Sequence, residues 1–274
     1  MRREFDPGYP GVFGELVADH PDESVYLADD FRVEWGPIFH RGRLDGSARV
    51  LVIGQDPAAH EAIVRRILVG VAGQRAQGLL ARLGITRSYV FVNAFLYSVY
   101  GQTRGAGHVD DPGIVQYRNR WLDAIVAEQQ IEAVISLGQL ADRAYRTWRR
   151  TPSGAANTAR YVAVKHPTYP ESASSTGAIT LADASRKLCE SWNRALVKLD
   201  GVVVPDEPVA LRHYGDALTP DDLTPIPDAD LPAGLPAWMG SVEPWATRTG
   251  DDADVKRATI TVTVPAGSRA WMHG

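Results

Sequence analysis

The 274-residue chain lacks most features of membrane and disulfide-linked proteins. It has a single cysteine, Cys189, which excludes a disulfide framework, a cysteine-based zinc site and an iron–sulfur cluster. No stretch approaches the roughly 18 apolar residues of a membrane span. The opening MRREFDPGYP has no apolar signal-peptide core. We therefore expect a cytoplasmic protein with no membrane partner.

Several ligand-binding signatures are also missing. The sequence has no HExxH or CxxC motif and no carboxylate cluster of the kind that holds a metal. It has no GxGxxG or Walker loop for a dinucleotide or a nucleoside triphosphate. Cys189 lies among apolar residues at helical spacing, which favours a buried thiol over a nucleophile. We expect neither a metal nor a cofactor.

Charge is distributed unevenly. The formal net charge is −4, yet residues 60–170 contain 14 Arg and Lys against seven Asp and Glu. A basic middle in an acidic chain is typical of a surface that binds a polyanion. Solvated helix faces would give the same count, so charge alone does not decide between the two interpretations.

Four short apolar runs, rich in β-branched residues, predict strands: ARVLVIG (48–54), SYVFVNAF (88–95), EAVISLG (132–138) and RYVAVKH (160–166). Nearly continuous apolar character is expected of strands covered on both faces. Stretches with helical periodicity alternate with them, among them one over residues 61–84. The pattern predicts an α/β fold, a three-layer α/β/α sandwich around a central four-stranded, mainly parallel sheet.

The character of the chain changes near residue 200. Residues 1–200 form one predicted domain, whereas residues 201–274 are rich in Pro and Asp. Within this extension, residues 258–264 alternate Thr with apolar side chains, as a half-buried strand does. We expect the extension to pack on the core, with Trp238, Trp245 and Trp271 as anchors, since its aromatic content argues against a disordered tail.

Polar side chains stand where the predicted strands end. Gln55 and Asp56 follow the first strand, Asn93 lies in the second, and His166 ends the fourth. Ligands of open α/β sheets bind at the carboxyl ends of strands. Each residue alone has a structural explanation: a helix cap, a satisfied core amide, a buried histidine. Together they favour one functional site.

Three segments, VLVIGQDP, VFVNAFLYSV and KHPTYPESAS, resemble in order and spacing the motifs of the uracil-DNA glycosylase superfamily. The resemblance covers about residues 40–200. It implies that Asp56 stabilises an oxocarbenium-like sugar and activates water, and that His166 donates to the base O2. It also implies that Asn93 reads the edge of a flipped pyrimidine and that Gln55 supplies backbone N–H groups.

The resemblance also implies how DNA is held. In the family's last motif, small hydroxyl residues contact phosphates and an apolar side chain enters the duplex. Tyr169 is the candidate for that wedge. The candidates for phosphate contacts are Lys165, Thr168, Ser172, Ser174 and Ser175. Without His166 beside it, the same segment would be interpreted as a surface loop.

Two positions depart from the uracil-specific branch of the family. Ala58 stands where that branch has a Tyr that rejects substituents at C5 of the pyrimidine. The base-stacking aromatic position aligns with Val69 or its neighbours, and no Phe or Tyr lies between Pro57 and Tyr89. The pocket is therefore expected to be wider beside C5 and to stack less tightly on the base.

These features predict a monofunctional DNA glycosylase that acts as a monomer and leaves an abasic site. Its substrate would be uracil or a 5-modified pyrimidine, such as the hydroxymethylated or glucosylated bases of phage DNA. The corresponding roles are base excision repair and antiphage defence. The alternative is a DNA-binding module without catalysis.

Overall fold

A computed structural model describes residues 4–100 and 102–269, and it contains a five-stranded sheet in the order β1-β3-β2-β4-β5. The strands are β1 (His40–Gly42), β2 (Val50–Gly54), β3 (Tyr89–Asn93), β4 (Ala133–Leu137) and β5 (Arg160–Val164). Strands β2 to β5 pair in parallel, and β1 pairs antiparallel with β3. The predicted mainly parallel sheet is confirmed.

Both faces of the sheet are covered. On β2, Leu51 and Ile53 enter the apolar cluster on one face, whereas Val50 and Val52 enter the cluster on the other. This alternation follows from the two-residue period of a strand, and it explains why the strands are apolar throughout. The arrangement is the predicted three-layer α/β/α sandwich.

The helices lie in the two outer layers and in the loops between them. One apolar cluster includes residues of α1, α5 and α6, and the other includes residues of α3 and α9. The helices are α1 (Val12–Ala18), α2 (Ala59–Val64), α3 (Val71–Ala81), α4 (Gln102–His108), α5 (Pro112–Glu128), α6 (Gln139–Trp148), α7 (Pro152–Ala156), α8 (Tyr169–Ser174), α9 (Leu181–Leu199) and α10 (Ala253–Ala258). No helix in the described ranges is both long and apolar enough to cross a membrane.

Two sequence-based expectations were wrong in detail. The sheet has a fifth strand, β1. The sequence did not indicate it, because the strand has only three residues and two of them are basic. The single helix expected over residues 61–84 is two helices, α2 and α3. The chain leaves α2 because Arg65 takes a left-handed conformation with φ 63°, and Leu68 has φ 50°. Cys189 is buried in α9, as expected.

The segment after residue 200 packs against the core. It forms four short 3-10 or α-helical pieces (Pro220–Asp222, Asp228–Asp230, Ala237–Gly240 and α10) and a two-stranded antiparallel sheet of β6 (Ala246–Thr247) and β7 (Thr261–Val262). A third apolar cluster joins it to α2: it includes Ala59 and Val64 from the helix and Met239 and Trp245 from the extension. Trp238 packs on this cluster. The third proposed anchor, Trp271, lies outside the described residues.

Candidate active site

The corner after β2 is held by backbone hydrogen bonds to the segment after β3. The N–H groups of Ala94 and Phe95 donate to the carbonyls of Gly54 and Gln55, each at 3.0 Å. The N–H of Val99 then donates to Oδ2 of Asp56 at 3.0 Å. The carboxylate is therefore positioned by two neighbouring strands of the parallel sheet and by the loop that follows one of them.

Asp56 has an unusual protonation equilibrium. Burial raises the pKa of its carboxyl group to about 6, although the Val99 N–H and the Gln55 side chain act in the opposite direction. The buried carboxylate of Glu61 raises this pKa further. A carboxylate with a pKa near 6 is ionised at neutral pH and accepts a proton more readily than an ordinary aspartate, as a general base must.

Asn93 lies beside Asp56 at the end of β3, in register with Gly54. Its Nδ2 and Oδ1 are buried, and neither has a hydrogen-bond partner among the described residues. A side chain at position 54 would collide with the amide, because a Cβ there would lie 2.3 Å from Oδ1. Buried amides normally have partners, so an orphaned donor and acceptor at a strand end indicate a ligand site.

His166 follows β5 on the other side of the same edge. Burial lowers the pKa of its imidazole to about 4, and the positive charge of Arg75 acts in the same direction, so the ring is neutral at pH 7. Nδ1 accepts the backbone N–H of Thr168 at 3.3 Å and lies 2.9 Å from its hydroxyl oxygen. Because Nδ1 accepts, the proton of the neutral ring is on Nε2, which is then a donor.

The loop that carries His166 is braced from two directions. Arg75 on α3 donates to the carbonyl of Pro167 at 2.7 Å and forms a two-point ion pair with Glu171. Gly138, with φ 93°, lets the end of β4 approach closely: a Cβ there would lie 3.2 Å from Cβ of His166. These contacts hold the imidazole at the carboxyl edge of the sheet.

The three side chains thus lie at the carboxyl ends of the parallel strands. Their order across the sheet is Asn93 at the end of β3, Asp56 after β2 and His166 after β5. Asn93 and Asp56 follow adjacent strands, and His166 follows the strand two positions from β2. Two strand spacings amount to roughly 10 Å, which leaves room for a planar ring between the carboxylate and the imidazole. Within residues 4–100 and 102–269, no three His, Cys, Asp or Glu side chains are grouped as a metal site requires.

The family model of the uracil DNA glycosylase superfamily matches residues 41–188, more than half of the chain. This chain belongs to the uracil DNA glycosylase superfamily. No curated protein matches it. Membership implies a DNA glycosylase, a hydrolase that binds DNA.

The DNA-contact residues expected from the superfamily motif lie on α8 and directly before and after it. The Lys165 ammonium lies 3.8 Å from the centre of the Tyr169 ring, a cation–π contact that holds both side chains together. The Thr168 hydroxyl is bonded to His166 and orients the imidazole. The hydroxyls of Ser172, Ser174 and Ser175 donate to backbone carbonyls three or four residues earlier. Their contacts to phosphate stay a prediction.

The two positions that depart from the superfamily motif differ in their surroundings. Ala58 is exposed at the start of α2. Val69 is fully buried in the cluster shared with the extension and presents no surface to a bound base. Its neighbour Leu68 is closer to the site, since its Cδ1 lies 3.2 Å from the position a Cβ of Gly54 would take. In this conformation Leu68, rather than Val69, borders Asn93.

Three residues near the site were not singled out from the sequence. Glu61 accepts the N–H groups of Ala58 at 3.1 Å and Val69 at 3.3 Å, so it shapes the start of α2. The sequence carried no clear signal for it, because Ala58 at the N-cap lacks the side-chain acceptor that makes a capping box recognisable. Arg75, which braces the histidine loop, and His60, which binds the extension, had no local signal because their partners are distant in sequence.

The basic segment does not form one unpaired positive surface. Seven arginines of residues 60–170 form ion pairs with acidic side chains: Arg66, Arg75, Arg82, Arg87, Arg120, Arg143 and Arg146. Arg118 is buried. Much of the excess positive charge of residues 60–170 is therefore neutralised by nearby acidic side chains and has a structural role.

Proposed function

We propose that the protein is a monofunctional DNA glycosylase that hydrolyses the N-glycosidic bond of a flipped pyrimidine and leaves an abasic site. The observation that carries this proposal is the meeting of an ionisable Asp56, an unpartnered Asn93 amide and a neutral His166 at one edge of the sheet. We place the reaction in the cytoplasm and expect a monomer to suffice, since all three groups come from one chain.

The reaction divides between the two sides of the bond. As the bond between C1′ and the base nitrogen breaks, the base leaves with the electron pair, and the sugar becomes oxocarbenium-like. The Asp56 carboxylate stabilises that cation and takes a proton from the water that adds to C1′. On the other side, the Nε2–H of His166 donates to the O2 of the departing anion.

Recognition of the base falls to Asn93. Its amide offers one donor group and one acceptor to the Watson–Crick edge of the flipped base. Exposed Ala58 leaves the C5 side without the aromatic wall of the uracil-specific branch. The substrate is therefore uracil or a 5-substituted pyrimidine, and the second choice corresponds to defence against phages with hydroxymethylated or glucosylated bases.

Mass spectrometry of released bases tests this proposal directly. Purified protein is incubated with uracil-containing DNA, unmodified DNA and DNA carrying 5-hydroxymethylated or glucosylated pyrimidines. We expect release from the uracil or the 5-modified substrate and none from unmodified DNA. Asp56→Asn should slow release about 10²- to 10⁴-fold, the usual contribution of a general base.

A matched control is Asp19→Asn, which alters an exposed carboxylate paired with Arg120 at the surface. It should leave base release unchanged. If the wild-type protein binds these DNAs but releases no base from any of them, the enzyme proposal fails and a DNA-binding module without catalysis replaces it.

A further inference from the structure

The extension binds directly to the helix that follows Asp56. Nε2 of His60, on α2, accepts the backbone N–H groups of both Trp245 and Ala246, each at 3.2 Å. The imidazole also meets the Trp245 ring edge-on, with ring centres 4.7 Å apart. Burial lowers the pKa of His60 to about 4, so the neutral ring keeps this acceptor at pH 7. Strand β6 is thereby positioned next to the catalytic corner.

Arg248 is the residue that follows β6, two positions after Ala246. Its side chain is exposed, and it forms no hydrogen bond or ion pair with any residue in the described ranges. Its charge nevertheless acts on the site: Arg248 lowers the pKa of Asp56, opposing the effect of burial. Because His60, four residues after Asp56, fixes Trp245 and Ala246, Arg248 follows a strand held beside the corner that carries the carboxylate, without being bound to it.

Arg248 is a basic residue within a predominantly acidic extension. Residues 201–274 contain five Arg and Lys against 11 Asp and Glu. An acidic segment beside a DNA-binding pocket repels phosphate, unless a cation is placed between it and the nucleic acid. Docking of β6 on His60 places such a cation, and a guanidinium offers five N–H donors in a planar fork that matches pairs of oxygen atoms.

We propose that Arg248 is a substrate-binding residue, contributed by the extension, whose guanidinium binds oxygen atoms of the flipped nucleotide on the side of exposed Ala58. This inference rests on the proposed function. The oxygens have two sources, namely a phosphate flanking the flipped nucleotide or an oxygen-bearing substituent at C5 of the base. In either case the extension forms one wall of the active site.

Single-turnover base release by Arg248→Ala and Arg248→Lys tests the proposal. The substrates are oligonucleotides with one uracil or one 5-modified pyrimidine, whichever the wild type cleaves. Arg248→Ala should lower kcat/KM about 10- to 100-fold, the range for losing a hydrogen bond to a charged group. Arg248→Lys should recover only part of this, because the charge remains and the fork is lost.

The matched control is Arg212→Ala, which removes an equally exposed arginine of the extension on the side that contacts Arg82. It should cleave like the wild type. A loss of equal size on both substrates, with a salt slope reduced by about one, assigns the contact to phosphate. A loss confined to the 5-modified substrate assigns it to the substituent.

A second readout separates failure of this inference from failure of the proposed function. The affinity of Asp56→Asn protein for the same fluorescein-labelled oligonucleotides is measured with and without Arg248→Ala. If the wild type releases no base, the proposed function fails, yet weaker binding by the double variant still supports the Arg248 contact. Cleavage within twofold of wild type together with unchanged affinity overturns it, provided that melting temperatures agree.

Discussion

Asp56, the proposed general base, also has a cost in stability. Its carboxyl group is drawn towards the neutral form by burial and by Glu61, while Val99, Gln55 and Arg248 favour the charged form. The balance leaves the pKa at about 6, well above the usual value of an aspartate. This residue alone should therefore set the acidic limit of activity, because His166, with a pKa of about 4, remains neutral throughout that range.

We expect kcat/KM for base release to fall tenfold per pH unit below about pH 6, since only ionised Asp56 accepts the proton of water. Rate measurements between pH 5 and 8, where the His166 ring stays neutral, check this. The residual activity of Asp56→Asn should lack that limb. A wild-type profile that stays level down to pH 5 would show that another group governs the rate.

The raised pKa of Asp56 also predicts how the stability of the fold depends on pH. The ionised form that serves the reaction is the one that destabilises the folded state. A folded-state pKa above the unfolded value means that the folding stability associated with Asp56 is complete below about pH 4 and is lost as pH rises through about 6. Asp56→Asn should thus be more stable than wild type by about 3 kcal/mol at pH 8 and nearly equal to it near pH 4. Urea unfolding at the two pH values provides this check.

At the scale of elements, α2 joins the corner that carries Asp56 to the extension. Its first residues follow Asp56, its Glu61 accepts two backbone N–H groups, and His60 accepts two more from the extension. The short helix is therefore held by polar contacts on one side and by the shared apolar cluster on the other. Weakening the contact between α2 and β6 should therefore destabilise the extension before the rest of the chain.

His60→Ala removes the acceptor of the Trp245 and Ala246 N–H groups and leaves them unsatisfied. We expect a loss of about 1–3 kcal/mol in the free energy of unfolding and faster proteolysis within residues 241–250. Thermal melts and limited proteolysis measure the two effects. His213→Ala, at an exposed position of the extension, is the control. Unchanged proteolysis in the His60 variant would mean that the apolar cluster alone holds β6.

At the scale of the whole molecule, a buried carboxylate joins the extension to the sheet. Asp230 has no exposed surface, and its Oδ2 accepts from Arg41 on β1 at 2.6 Å and from the Tyr89 hydroxyl on β3 at 2.7 Å. Arg43 forms a further ion pair with its other oxygen. Arg41 is itself fully buried, and its further acceptors, the Ile67 carbonyl and Oε1 of Gln77, are uncharged, so Asp230 balances its charge.

Asp230→Ala should reduce the free energy of unfolding by about 3–5 kcal/mol, because it leaves the Arg41 guanidinium buried and uncompensated. Urea titrations followed by circular dichroism and tryptophan fluorescence measure the change. Asp221→Ala, an exposed position in the same extension, should change stability by less than about 0.5 kcal/mol. Equal stability of the two variants would contradict a structural role for this cluster.

The sequence by itself determined the parallel sheet and the polar residues at its edge. Strands β2 to β5 were predictable because continuous β-branched runs need two covered faces. Asp56, Asn93 and His166 were predictable because strand ends of a parallel sheet meet at one edge. The short strand β1 was not, since its pairing with β3 and the partner of Arg41, Asp230, lie far along the chain.

Only the tertiary structure decided what surrounds that edge. The turn after α2 puts Leu68, rather than Val69, beside Asn93. It does so because Arg65 and Leu68 adopt left-handed conformations that helical periodicity does not reveal. The placement of Arg248 depends on a contact between His60 and a strand 185 residues later in the chain. Such a pairing is favourable only when the whole chain has folded, so the residues on either side carry no local trace of it.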